Sequence, residues 1–178
     1  MVVVRMMGLG VRGAKLTEVA RQAIAAWLDG REPDAVPPLK FEAAVFVTLR
    51  DASGNLRGCI GSLSPLTPDV TAETQRSAVL AASRDPRFPP LTRGEFPQLS
   101  IEVSVLGPPE AIVSAAELDP KRYGVVVRGA GGKRGVLLPE VPGVDDVATQ
   151  VKIARQKAGV DPDEPVEVQR FGVEKFLS

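Results

Sequence analysis

The chain has 178 residues, 44% of them hydrophobic and 25% charged, with 22 Lys and Arg against 22 Asp and Glu. It holds no histidine and one cysteine. These counts exclude imidazole-based catalysis, His-ligated metal, a four-thiolate zinc cage and an internal disulfide, and zero formal charge gives no global attraction to nucleic acid or anionic membrane.

The elements follow in order. The opening Met1-Val2-Val3-Val4 is too short for a signal sequence, and Met1, Met6 and Met7 are each a candidate start. Gly8-Leu9-Gly10-Val11-Arg12-Gly13 fits G-x-G-x-x-G, but a dinucleotide site needs a second strand ending in an acidic residue, and the chain there is Pro-rich. Residues 1–14 therefore read as a flexible leader, ahead of one domain over 15–178. Leu16, Val19, Ala20, Ala23, Ile24, Trp27 and Leu28 predict a helix over 16–29 that Gly30 stops. A stiff connector, Pro33 to Pro38, leads to a strand over 43–49. The turn 51–55 and a second arm over 56–60 complete a hairpin.

Thr67-Pro68 reads as N-cap and first turn of a helix running to about Ser83, whose alanines permit close packing on a sheet. Asp85 to Pro90 is a Pro-stiffened loop, and Thr92 with Glu95 fits a capping box. Residues 100–106 alternate as a strand, with Ile101, Val103 and Val105 on one face and Glu102 and Ser104 on the other. A second hairpin is expected over 123–128 and 135–138, then a helix over 145–158 capped by Gly159 and a last strand over 166–171. Hairpins without regular βαβ alternation predict an α+β fold with a mixed or mostly antiparallel sheet flanked by helices. Gly129–Gly132 with Lys133 is a hairpin turn, because Arg134 stands where a P-loop needs Ser or Thr.

The distinctive segment is Leu56-Arg57-Gly58-Cys59-Ile60-Gly61. Strand alternation sends Leu56, Gly58 and Ile60 to the core and places Arg57 beside Cys59 on the other face. A guanidinium next to a thiol favours thiolate, while Gly58 and Gly61 admit a ligand or another backbone. The competing reading is a small cysteine that only packs. Glu102 and Ser104 meet Arg57 if their strands are neighbours, either as functional groups or as a structural pair. Asp85-Pro86-Arg87-Phe88 offers a second guanidinium suited to an anion, unless Asp85 simply pairs with Arg87.

With Ala44–Leu49, the hexamer, Asp85–Phe88, Ile101–Leu106, Gly135–Val141 and Lys157–Gly159 in this order, the chain resembles the AMMECR family over about residues 15–176. The hexamer is that family's signature, and Glu140 is a departure where many relatives carry Gln. The resemblance implies a compact protein with a larger and a smaller lobe and a cleft beside the hexamer. It implies no particular reaction. Fusions among relatives imply a functional link to Memo-type or radical-SAM proteins, and other relatives have been placed in nucleic-acid processes.

Two main expectations follow. In the first, the chain is an enzyme or accessory enzyme domain, with Cys59 as nucleophile or redox group and Glu102 handling protons. Arg57, Gly58, Gly61, Asp85, Arg87 and Ser104 then surround a small anionic ligand, with no metal and no cofactor. In the second, it is a non-catalytic interaction or ligand-sensing module in which Cys59 packs. Nucleic-acid binding ranks third, since it needs scattered arginines to converge and only one Trp and one Tyr are present to stack on bases. The expected compartment is the cytoplasm, with no membrane partner.

Overall fold

The computed structural model describes the backbone of residues 10–178 and the side chains from Lys15 onward. The candidate starts Met1, Met6 and Met7, Gly8 of the glycine pattern and most of the expected leader lie outside the described residues. The chain divides into two units, one running to Leu106 and taking back Glu174–Ser178, the other spanning Gly107–Val173.

The first unit begins with α1 (Gly10–Leu28), which starts six residues earlier than the apolar spacing predicts. Within the stripe, Leu16, Val19, Ala20, Ala23 and Ile24 are buried. No proline stands between Gly10 and Leu16, so the backbone helix can begin ahead of the apolar stripe. Gly30 adopts a left-handed φ of +69° and lets Arg31 N–H reach the Ala26 carbonyl at 2.9 Å, which ends the helix.

Next come β1 (Ala44–Arg50), β2 (Leu56–Gly61), α2 (Val70–Ser83) and β3 (Ser100–Leu106). β1 pairs antiparallel with β2 on one side and with β3 on the other. Val45, Val47, Leu49, Ile101 and Val103 are fully buried and share a cluster with α1 and α2, so both helices cover one face of this sheet. α2 begins two residues later than the Thr67-Pro68 pair suggests. Asp69 is its N-cap, accepting from Thr71 N at 2.8 Å and also from Lys40 N at 2.7 Å. A carboxylate that satisfies the helix start and a distant loop together outcompetes the threonine hydroxyl.

In the second unit lie β4 (Glu110–Ala111), β5 (Tyr123–Arg128), β6 (Arg134–Leu137), α3 (Val147–Ala158) and most of β7 (Glu167–Leu177). β5 pairs antiparallel with β6 and β7, and the short β4 pairs with β7. Asp146 caps α3 through Thr149 N, and Gly159 closes it at φ +65°. β7 outruns the expected strand by six residues, and within the first unit Ser178 N–H, just past its end, bonds Ile101 O at 3.1 Å. All the ladders described are antiparallel, which agrees with the expected α+β class.

Candidate functional site

The hexamer and the side chains that contact it lie in the first unit. Cys59 faces Thr48 across β1–β2, and Thr48 faces Glu102 across β1–β3, so the three share a row on the sheet face away from the helices. The Cys59 Sγ lies 3.2 Å from the Thr48 hydroxyl. Thr48 and Ser104 are buried, while Cys59 and Glu102 are half-buried. The Ser104 hydroxyl donates to the Glu102 carboxylate at 3.2 Å. Sequence alternation thus located Cys59, Glu102 and Ser104 on one face.

Arg57 departs from that row. The β1–β2 register shifts between Leu49 and Arg50, because Leu49 faces Gly58 and Arg50 faces Leu56, leaving Arg57 in a bulge. β1 also stands between β2 and β3, which removes the expected meeting of Arg57 with Glu102. Its partner is Glu95, 38 residues away: Nε and Nη2 donate to the two carboxylate oxygens at 2.6 and 3.2 Å, and Nη1 donates to the Pro89 carbonyl at 3.1 Å. Glu95 also accepts from Thr92 N–H and hydroxyl at 2.8 and 2.7 Å. The expected capping box is therefore half-formed, with the threonine hydroxyl turned to the carboxylate. The Arg57 guanidinium first, and then Thr92, hold the Glu95 pKa down at about 2.

Asp85 and Arg87 make a second bidentate pair. Arg87 Nε and Nη2 donate to the Asp85 oxygens at 3.0 and 2.8 Å. The Asp85 side chain is 2% exposed and that of Arg87 52%. The carboxylate also accepts from Cys59 N–H at 2.8 Å and from Arg87 N–H at 3.1 Å, and Arg87 Nη2 reaches the Cys59 carbonyl at 3.4 Å. The Arg87 hydrogen bonds, ahead of the Cys59 N–H, hold the Asp85 carboxyl far below the ordinary range, and the same contact raises Arg87. Phe88 carries both guanidiniums over its ring, Arg57 at 5.9 Å and Arg87 at 5.5 Å.

The glycines serve backbone contacts. A Cβ on Gly58 would overlap the Ala81 carbonyl of α2, and one on Gly61 would overlap the Val45 carbonyl and the Phe46 ring. Of the two partners open to them in the sequence, backbone fills the space. Sequence reasoning missed Thr48, Glu95 as the partner of Arg57, and Glu73. The last is a fully buried carboxylate on α2 that accepts from the Ser62 hydroxyl at 2.9 Å and from Leu66 N at 3.1 Å. Only Glu95 left a signal, through its spacing from Thr92.

An open depression of about 610 Å³ lies in the second unit, lined by Asp119, Arg122, Tyr123, Asp145, Asp146 and Arg170 among others. None of the residues expected from the sequence lines it. Among the described residues, no helix is long and apolar enough to cross a membrane.

Antiparallel strands backed by α1 and α2, with two Arg–carboxylate pairs bracketing a half-buried thiol, define an α+β protein built around the Leu56–Gly61 strand. The chain belongs to the AMMECR1 family, whose sequence profile matches residues 17–176. A Thermotoga maritima protein is 45% identical over 149 residues, covering 82% of this chain and 85% of its own length. A Clostridium acetobutylicum protein is 37% identical over 163 residues, 88% of this chain but 34% of the longer relative. The crystal structure of an uncharacterised Pyrococcus horikoshii protein matches with a TM-score of 0.79 and 35% identity, covering 93% of this chain and 91% of that one.

Proposed function

We propose that the chain is a non-catalytic interaction module, with the rim formed by Cys59, Arg87 and Phe88 as its recognition surface. The observation that carries this reading is the mutual saturation of charge around the hexamer. Arg57 is bound by Glu95, Arg87 by Asp85, and the polar partner of the Cys59 thiol is a threonine hydroxyl. A nucleophilic thiol needs a base or an unneutralised cation beside it, and a small-anion receptor needs guanidinium donors that are not already spent on carboxylates. The Clostridium relative adds support, since the matched stretch is 34% of that chain and there forms one part of a longer protein. The reading extends to the cytoplasm, and to a protein partner of the Memo or radical-SAM class that the family resemblance implies.

The competing enzyme reading draws on one specific contact. Cys59, Thr48 and Glu102 stand in one cross-strand row, with a hydroxyl against the thiol and a carboxylate one strand beyond it. Calorimetric titration with inorganic phosphate, pyrophosphate and citrate, together with iodoacetamide labelling of Cys59 from pH 6 to 9, separates the two. The module reading expects no saturable anion binding, and labelling slower than that of free glutathione throughout. Saturable anion binding lost in Arg87→Ala, or labelling faster than glutathione at pH 7, sinks it in favour of the enzyme.

A further inference from the structure

β2 pairs with β1 on one side, and among the described residues no backbone group hydrogen-bonds its other side. In an antiparallel ladder the N–H and C=O of one residue point the same way. Those of Cys59 reach Asp85 and Arg87, so they point outward, away from Thr48. The close Sγ–hydroxyl contact agrees, because side chains approach most closely in pairs that do not exchange backbone hydrogen bonds. An outward N–H and C=O on an edge strand are the groups that a further strand would bond. Here a carboxylate takes the donor and a guanidinium takes the acceptor. The pair offers the two hydrogen bonds of an incoming strand without offering a backbone.

The second unit repeats the arrangement with different residues. β6 pairs with β5 on one side, and its Val136 carbonyl accepts from the Lys157 ammonium on α3 at 3.3 Å. Each strand thus has a carbonyl covered by a cation from a later segment. The bulge at Arg57 further shortens the regular part of the β2 edge.

We infer that Asp85 and Arg87 guard the edge of β2 against pairing with the β2 of a second copy of this chain. The hexamer suits such pairing. An antiparallel two-fold centred on Cys59 sets Arg57 against Gly61 of the second copy, so no like charges stand directly opposed. What blocks it is the pair of side chains already seated on the Cys59 N–H and C=O.

The test is sedimentation velocity of the full chain from 5 to 500 µM, comparing wild type, Arg87→Lys and two double variants that clear both groups from the edge, Asp85→Ala/Arg87→Ala and Asp85→Ser/Arg87→Ala. The serine keeps a short side-chain acceptor for the Arg87 N–H, and circular dichroism with a thermal melt verifies which variants fold. The weight-average mass of the folded double variants is expected to rise with concentration toward twice the wild-type value, while Arg87→Lys follows wild type. Adding Cys59→Pro to a double variant removes the outward N–H without removing a β1 ladder bond, and is expected to abolish the association. The inference is overturned if the folded double variants match wild type up to 500 µM. It is equally overturned if the added proline leaves the association intact, since the contact would then lie elsewhere.

Discussion

The Cα of Gly58 on β2 lies against the carbonyl of Ala81 on α2, with no room for a Cβ. This contact explains why small residues recur on both sides of the helix–sheet junction. Ala78, Ala81 and Ala82 are all buried there. The second unit uses the same device, because a Cβ on Gly135 of β6 would overlap the Ala154 carbonyl of α3. Each helix is thereby drawn onto the hairpin that precedes it, and in the first unit this fixes the strand that carries Cys59.

Gly58→Ala is expected to destabilise the protein by about 2–3 kcal/mol, the scale of overpacking in a tight core. The obstacle is helix backbone, which has no rotamer to move into. Urea denaturation measures the loss, and a variant within about 0.5 kcal/mol of wild type would show that α2 shifts freely.

Acid weakens the loop that frames the hexamer. Asp85 and Glu95 both have lowered folded pKa values, about 2 for Glu95. Between the ordinary carboxyl range and those values the unfolded chain binds more protons, so stability is full above about pH 5 and falls as pH drops toward 2. Urea midpoints at pH 7, 4 and 3 are expected to fall in that order for wild type. Glu95→Gln should cost less than about 1 kcal/mol at pH 7, because the carboxylate is 39% exposed, and should show a smaller further loss on acidification. An unchanged acid slope in that variant would remove Glu95 from the account.

Asp69→Ala should cost about 1–2 kcal/mol through loss of the α2 cap. It also frees the Lys40 N–H, whose residue sits at a left-handed φ of +63° and is held there by the Asp69 carboxylate. Asp69→Asn, which keeps a side-chain acceptor, is expected to retain more than half of the difference in a thermal melt. Equal losses in the two variants would mean that the charge, and not the hydrogen bonds, stabilises this corner.

Cys59→Ser is expected to leave stability within about 1 kcal/mol of wild type, since a hydroxyl can keep the Thr48 contact. Cys59→Ala should fall slightly lower and be rescued by Thr48→Val, which removes the partner left unpaired. A double mutant that shows no coupling in chemical denaturation would mean that the 3.2 Å contact contributes nothing to stability.

Much of the fold is legible in the sequence. The period of Leu16 to Ile24, the alternation at Ile101–Val105 and the punctuation at Gly30 and Gly159 are local signals, and each element appears where its signal lies. Boundaries were less legible: α1 continues beyond its apolar stripe, and α2 waits for Asp69, whose carboxylate also serves Lys40 from 29 residues away. The two-residue β4 carries no period of its own and exists because β7 supplies its hydrogen bonds.

By itself, then, the sequence determined the absence of imidazole chemistry, the α+β class and the face that Cys59 shares with Glu102, all of which follow from composition or from a period of two or 3.6 residues. The tertiary structure alone decided the partners. A one-residue bulge turned Arg57 from Glu102 to Glu95, and chain reversal after α2 brought Asp85 and Arg87 onto the Cys59 backbone. Alternation states which way a side chain points. Whether a charge stands free or neutralised depends on residues tens of positions away, and only the folded chain brings them together.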